Sequence, residues 1–295
     1  MLDQPVAPEA KPTDATSGQG GVGRAGGLGI AFWCCVAWLG VLGFVTVFAG
    51  LLPFQDPALG NFLNPGPDAG FSLGHLLGTD QDARDILSRL VHGAQVSLVI
   101  GLGATAIGIL LGGSLGMLAA YLRGRVDAVL SLVMYSGLAF PAIVAVMAIL
   151  AFWGQGEFQV MIVIGLFSVP LIYRLVRAAT LSYATREYVT VARAQGATAA
   201  RVLGREILPN VAPALAAYAL FTLGGAIATE GALAFLGLSV LPPTSSWGTL
   251  ISDAATDSGN LFLLFAPAAA LFLTLVSLNY VGERVRRRFD PGASR

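Results

Sequence analysis

The sequence predicts an all-α integral membrane protein with six transmembrane helices. Three observations lead there. Apolar residues make up 55% of the 295 and charged residues only 12%, against ~25% charged in an average soluble chain. The mean hydropathy is +0.74, carried by apolar runs long enough to cross a hydrocarbon core of ~30 Å. The basic residues then segregate to alternate loops.

The elements follow in chain order. Residues 1–28 are rich in Pro, Gly, Ala and polar groups and lack the apolar content to fold, so they read as a disordered tail. Their Gly18-x-Gly20-x-x-Gly23 has no strand before it and reads as chance rather than as a dinucleotide loop. The run 29–52 reads as a first span and, being long and preceded by a polar tail, as a retained one rather than a signal peptide. Residues 53–95 form a polar loop broken by Pro53, Pro57, Pro65 and Pro67. Asp80 to Val96 suits an amphipathic helix with Ile86, Leu87, Leu90 and Val91 on one face. Five further spans, at about 96–121, 127–152, 158–177, 211–236 and 261–282, make up a core over 96–283, and a basic tail closes the chain at 284–295. Pro141, Pro170 and Pro267 fall in or near these spans, where membrane helices tolerate kinks.

Placing both termini in the cytoplasm puts Lys11, Arg24, Arg123, Arg125, Arg174, Arg177, Arg186, Arg193, Arg201, Arg205, Arg284, Arg286, Arg287, Arg288 and Arg295 inside, and only Arg84 and Arg89 outside. Removing one internal span would invert every later side, so this bias also supports the count.

Composition excludes several functions. The net charge is zero, which gives no reason to expect a nucleic-acid partner. Lys11, the single lysine, stands between Ala10 and Pro12, so there is no Walker A loop; ATP-driven work would need another chain. Cys34 and Cys35 are adjacent in an apolar run and read as small helix residues. His75 and His92 are isolated, and no metal site is expected. No set of acids, bases or nucleophiles at useful spacing supports an enzyme.

Three features point to function. In the second span Ala104, Gly108, Gly112, Gly116 and Ala120 recur every four residues, a face on which another backbone can approach closely, within this chain or from a second subunit. Glu230 is the acidic residue well inside a predicted span. It reads either as facing a pathway or outer gate or as a hydrogen-bonding group holding the turn before Pro242 and Pro243. Arg174 and Arg177 read as snorkelling to the headgroups, and Arg284 to Arg288 as an inner-leaflet anchor.

The third feature is the loop at about 178–210, too polar to span. Two short helices fit it, 187–195 and 199–207. Gly196 can end the first in the left-handed conformation, Thr198 can cap the second and Pro209 can stop it. The result is a helical hairpin over 181–209. Its mix of a large aromatic, small residues and Arg suits docking into a protein groove, and by composition alone also suits lying on the headgroups.

The spacing in this hairpin resembles the cytoplasmic signature of binding-protein-dependent ABC importer permeases, Glu-Ala-Ala, three residues, Gly, nine residues, Ile-x-Leu-Pro. Ala192, Gly196, Leu208 and Pro209 match it. Thr190 and Val191 replace the Glu and first Ala, and Ile207 directly precedes Leu208. The form common in peptide permeases, Glu-Tyr-Val-x-x-Ala-Arg-Ala-x-Gly-Ala, fits Glu187, Tyr188, Val189, Ala192, Arg193, Ala194, Gly196 and Ala197. Leu77-Gly78-Thr79-Asp80-x-x-Ala83-Arg84-Asp85-Ile86-Leu87-Ser88-Arg89-Leu90 is similar to the same dipeptide, oligopeptide and nickel subfamily, which usually has Gly where Ala83 stands. So is Glu230-Gly231-Ala232-Leu233-Ala234-Phe235-Leu236-Gly237-Leu238 with Pro242-Pro243-Thr244-x-x-Trp247-Gly248.

The long first loop resembles the second permease of a peptide transporter pair. The resemblance implies a type I ABC importer permease fold and a pathway shared with a second homologous permease. It also implies two P-loop ATPase subunits that hold the ATP and Mg, an external binding protein, and no cofactor on this chain. The hairpin, with Leu203 and Ile207 in its second arm, would couple the ATPases to the spans. Outside the resemblance, an ion-coupled transporter built on Glu230 and a non-transporting scaffold subunit are the rival readings.

Overall fold

The computed structural model describes residues 29–51, 56–60, 63, 70–256 and 261–289. The tail 1–28, Pro53, Pro65, Pro67 and residues 290–295 lie outside them, as do the predictions made there. Among the described residues the chain is helical; the β contact is an isolated bridge between Thr79 and Asp85. Five helices are long and apolar enough to cross a membrane, or six if a bent pair counts as one span.

Helix α1 (Ile30–Phe48) lies at the edge of the bundle, and the Trp38 indole N–H donates to Thr274 Oγ1 at 3.1 Å. Helix α2 runs Ile86–Leu122 through a π stretch at Gly108–Gly113. The predicted amphipathic helix and second span are therefore one element, beginning at Ile86 rather than at 96. Asp85 fixes that start, its carboxylate accepting from the Ser88 backbone N–H at 2.7 Å. Residues Asp80 to Arg84 form a turn before the helix, not its first turn. Ala83 sits in that turn at φ 56°, where glycine is the relaxed choice.

The predicted third span is broken. Helix α3 (Gly124–Ala139) and helix α4 (Ala142–Trp153) meet at 87°. Pro141 drives Phe140 to φ −89°, ψ 138°, out of the helical region. Helix α5 (Glu157–Ala184) outlasts its predicted end at 177 by two turns. Helix α6 (Glu187–Ala194) follows. Helix α7 then runs Ala199–Phe235 without interruption. Pro209 does not stop it. A π stretch at Val202–Ile207 precedes the proline, and the Leu208 N–H reaches back to Leu203 O, so the wider turn accommodates a residue that cannot donate. After the Pro242–Pro243 turn, whose peptide bond is cis, a short helix α8 (Trp247–Thr256) appears that apolar periodicity did not predict. Helix α9 (Leu261–Phe289) closes the fold and carries Arg284 to Arg288 within it, so the predicted basic tail begins as helix.

Helices α2 and α5 lie side by side and run parallel. A Cβ on Gly112 would stand 2.6 Å from Val169 O and 3.1 Å from the Tyr173 N, and one on Gly116 would stand 2.7 Å from Tyr173 O. Gly108 meets Ser168 one step earlier, while Ala104 and Ala120 are fully buried. The small-residue face is thus occupied by a helix of the same chain. Since α2 and α5 run the same way, the intervening α3 and α4 must carry the chain back from one end of the bundle to the other.

Filling this contact should be costly while filling its neighbour is not. Gly112→Ala pushes a methyl group into backbone and is expected to destabilise by about 1–3 kcal/mol. Gly113→Ala meets nothing within 4 Å and should be neutral or slightly stabilising. Thermal unfolding of the two variants in detergent, followed by the size-exclusion monomer peak, checks the difference.

Candidate functional site

The polar loop folds as a hairpin at one end of the bundle. Helix α6 ends in a Schellman turn. The Ala197 N–H donates to Ala192 O at 3.1 Å and the Gly196 N–H to Arg193 O at 3.0 Å, with Gly196 at φ 81°. Thr198 caps α7, accepting from the Arg201 N–H at 3.4 Å.

The hairpin has two faces. Val189 is fully buried with Val202 and Ile207 against Ile172 and Val176 of α5, and Ala192, Ala197 and Leu203 pack around them. The Arg193 guanidinium lies 4.4 Å from the centre of the Tyr121 ring at the end of α2, a cation–π contact that ties the hairpin to a second span. On the other face Glu187, Tyr188 and Ala194 are exposed, as are Gly196 and Pro209; Leu208 is half-buried. Tyr188 is 40% exposed and Val191 54%. These two lie three residues apart on one side of α6, so the hairpin presents an apolar pair to solvent from a fixed base. Sequence reading missed Val191, which appeared only as a departure from the signature. It also missed Tyr121, whose contact with Arg193 spans more than seventy positions and leaves no local signal.

At the opposite end, residues of two separate sequence motifs converge. Glu230 of α7 is fully buried. Its carboxylate accepts from Ser239 Oγ and Ser246 Oγ at 2.7 Å each and from Ser97 Oγ of α2 at 3.1 Å. Ser97 in turn accepts from the Trp247 backbone N–H at 3.2 Å, and the Trp247 indole donates to Leu90 O at 3.1 Å. Ser246 starts α8 through a reciprocal pair with Thr249, Thr249 N–H to Ser246 Oγ and Ser246 N–H to Thr249 Oγ1. The carboxylate thus bonds to both ends of the Ser239–Ser246 turn and to α2.

Beside this knot, Arg89 is 3% exposed and donates to Asp80 at 2.5 Å, to Asp253 of α8 at 2.7 Å and to Ser245 at 3.0 Å. Asp80 also accepts from Arg84 at 2.9 Å, and His75 Nδ1 lies 3.0 Å from Asp85. Each of these groups has a partner among the others, and among the described residues no group of three potential ligands could hold a metal.

Between the two ends, Ile143 and Val146 of α4, Phe167 and Leu171 of α5, and Phe221 and Ala228 of α7 line an open, mainly apolar cavity of about 520 Å³. Arg174 is exposed. Arg177 does not snorkel to the headgroups as predicted: it is paired with Asp127 of α3.

Residues 108–295 match the family described as binding-protein-dependent transport system inner membrane component. The chain is 35% identical over 253 residues to the di/tripeptide transport system permease protein DppC of Pseudomonas aeruginosa, covering 84% of each chain. It is 34% identical over 230 residues to the glutathione transport system permease protein GsiD of Pectobacterium atrosepticum, covering 78% of this chain and 75% of the relative. In fold it is similar to a chain of the methionine ABC transporter MetNI in an inward-facing conformation, with TM-score 0.59 and 19% identity over 69% of this chain and 97% of that one. The chain belongs to the inner-membrane components of binding-protein-dependent transport systems: it is a membrane permease of an ABC importer, without a catalytic role of its own, working with an ATPase and a binding protein.

Proposed function

We propose that this permease forms half of the pathway of an importer for short peptides, dipeptides, tripeptides or glutathione, in the bacterial inner membrane. A second homologous permease supplies the other half, and two P-loop ATPase subunits bind ATP and Mg beneath them. The chain crosses the membrane six times, the bent α3–α4 pair being one crossing, with both termini in the cytoplasm. The parallel course of α2 and α5 and the distribution of Arg support this topology.

The observation that carries the coupling role is the exposed pair Tyr188 and Val191 on a helix whose other face is locked into the bundle. An apolar surface on a rigid base fits a groove in a protein partner. ATP-driven closure of the ATPases would move α6, and its anchors on α5, α2 and α7 would carry that movement into the spans. The ligand thereby shifts the equilibrium by its differential affinity for one state. The Thr198 cap and the Gly196 turn keep the two arms in register. Glu230, Ser97 and Ser246 act at the outer end as a brace, tying α2, α7 and α8 together so that they move as one body.

Three outcomes are expected. Tagged wild-type chain should bring down ATPase subunits and a second permease from mild detergent, and Val191→Asp should lose the ATPases while keeping the second permease; mass spectrometry of the eluate reads both. Proteoliposomes with the whole complex and its binding protein should accumulate a labelled dipeptide when ATP is supplied, with competition by tripeptide or glutathione but not by free amino acid. Glu230→Ala leaves three buried hydroxyls without their acceptor and should destabilise the protein by about 1–3 kcal/mol, measured by thermal unfolding in detergent, whereas Glu230→Gln keeps an acceptor and should lose less.

A further inference from the structure

We propose that the Asp127–Arg177 pair is the joint that passes hairpin movement to helix α3, which makes both residues positioning residues of the transport cycle. The inference rests on the hairpin reading above. The pair is a fork: Arg177 Nε donates to Asp127 Oδ1 and Nη2 to Oδ2, each at 2.6 Å. Ser131, one turn further along α3, donates to Asp127 Oδ1 at 3.2 Å and lies 2.9 Å from the Tyr173 hydroxyl. Two parallel bonds fix direction as well as distance, which a single ammonium group cannot do.

The need for such a joint follows from how α3 is held. The helix buries no residue of its own, so apolar packing does little to set its inclination. Its backbone ladder is interrupted at Phe140–Pro141, where it turns 87° into α4. The polar ties to α5 therefore fix its inclination. On α5, the residue next to Arg177 is Val176, buried in the same cluster as Val189, Val202 and Ile207 of the hairpin. One turn of α5 thus holds the hairpin on one side and α3 on the other. Beyond the break, Ile143 and Val146 of α4 line the apolar cavity, so a change in the angle of α3 moves one wall of that cavity.

The test uses the complete complex with its ATPases and binding protein in proteoliposomes, and reads substrate moved per ATP hydrolysed. Asp127→Asn removes the charge with little change of shape, and Arg177→Lys keeps the charge but loses the fork. Both should assemble with the ATPases and hydrolyse ATP much as wild type does, while moving about tenfold less substrate per ATP, a loss within the usual range of coupling between sites. A ratio equal to wild type in both variants overturns the proposal. So does a parallel fall of assembly, hydrolysis and transport, which marks a structural tie only. If wild-type chain itself fails to bring down ATPases, the hairpin reading fails first, and that result is distinct from either.

Discussion

The close parallel approach of α2 and α5 is the constraint on which the rest depends. In lipid there is no hydrophobic force to draw two apolar helices together, so their contact rests on shape. Gly108, Gly112 and Gly116 let one backbone lie against the other, with Val169 O and Tyr173 O where a Cβ would stand. Two helices running the same way oblige the chain between them to return, and α3 and α4 make that return as a bent pair. The same contact brings the end of α2, with Tyr121, beside the end of α5, and the hairpin is seated on both.

Polar groups then do what apolar packing cannot. Buried in a bundle, a charge or hydroxyl without a partner is expensive, so each marks a place where elements must meet in one arrangement. The end opposite the hairpin has two such places, Glu230 with its three serines and Arg89 with Asp80, Asp253 and Ser245. The half that carries the hairpin has the Asp127–Arg177 fork and the Arg193–Tyr121 contact. The middle, where the cavity lies, is mainly apolar. A scaffold held at its ends with a mainly apolar middle suits a pathway that must release what it admits.

Much of this was legible in the sequence. Long apolar runs and the Arg bias depend on composition, so the helical membrane class could be read directly. Gly196 acts through its own backbone and Thr198 through a hydroxyl that reaches only three residues on, and both do what their residue types predict. Pro209 did not, because a π turn upstream removed the conflict the proline would have caused. Arg177 was misread because its partner is fifty positions away, and Asp127 looked like an ordinary acid in a first helical turn. Helix α8 was missed because its polar starting residues are spent on Glu230 and Thr249 rather than on solvent. The motif around Arg89 and the motif around Glu230 were each visible, but that they are one site required the fold.

The central claim, that the exposed face of α6 is covered by the ATPase subunits, is tested most directly by thiol labelling. Cys34 and Cys35 would be replaced, and single cysteines placed at Val191 and at Gly204, a second exposed hairpin position with open space around it. The account predicts that adding the ATPases slows labelling at 191 by a large factor and leaves 204 little changed. Equal labelling at 191 with and without the ATPases would contradict it.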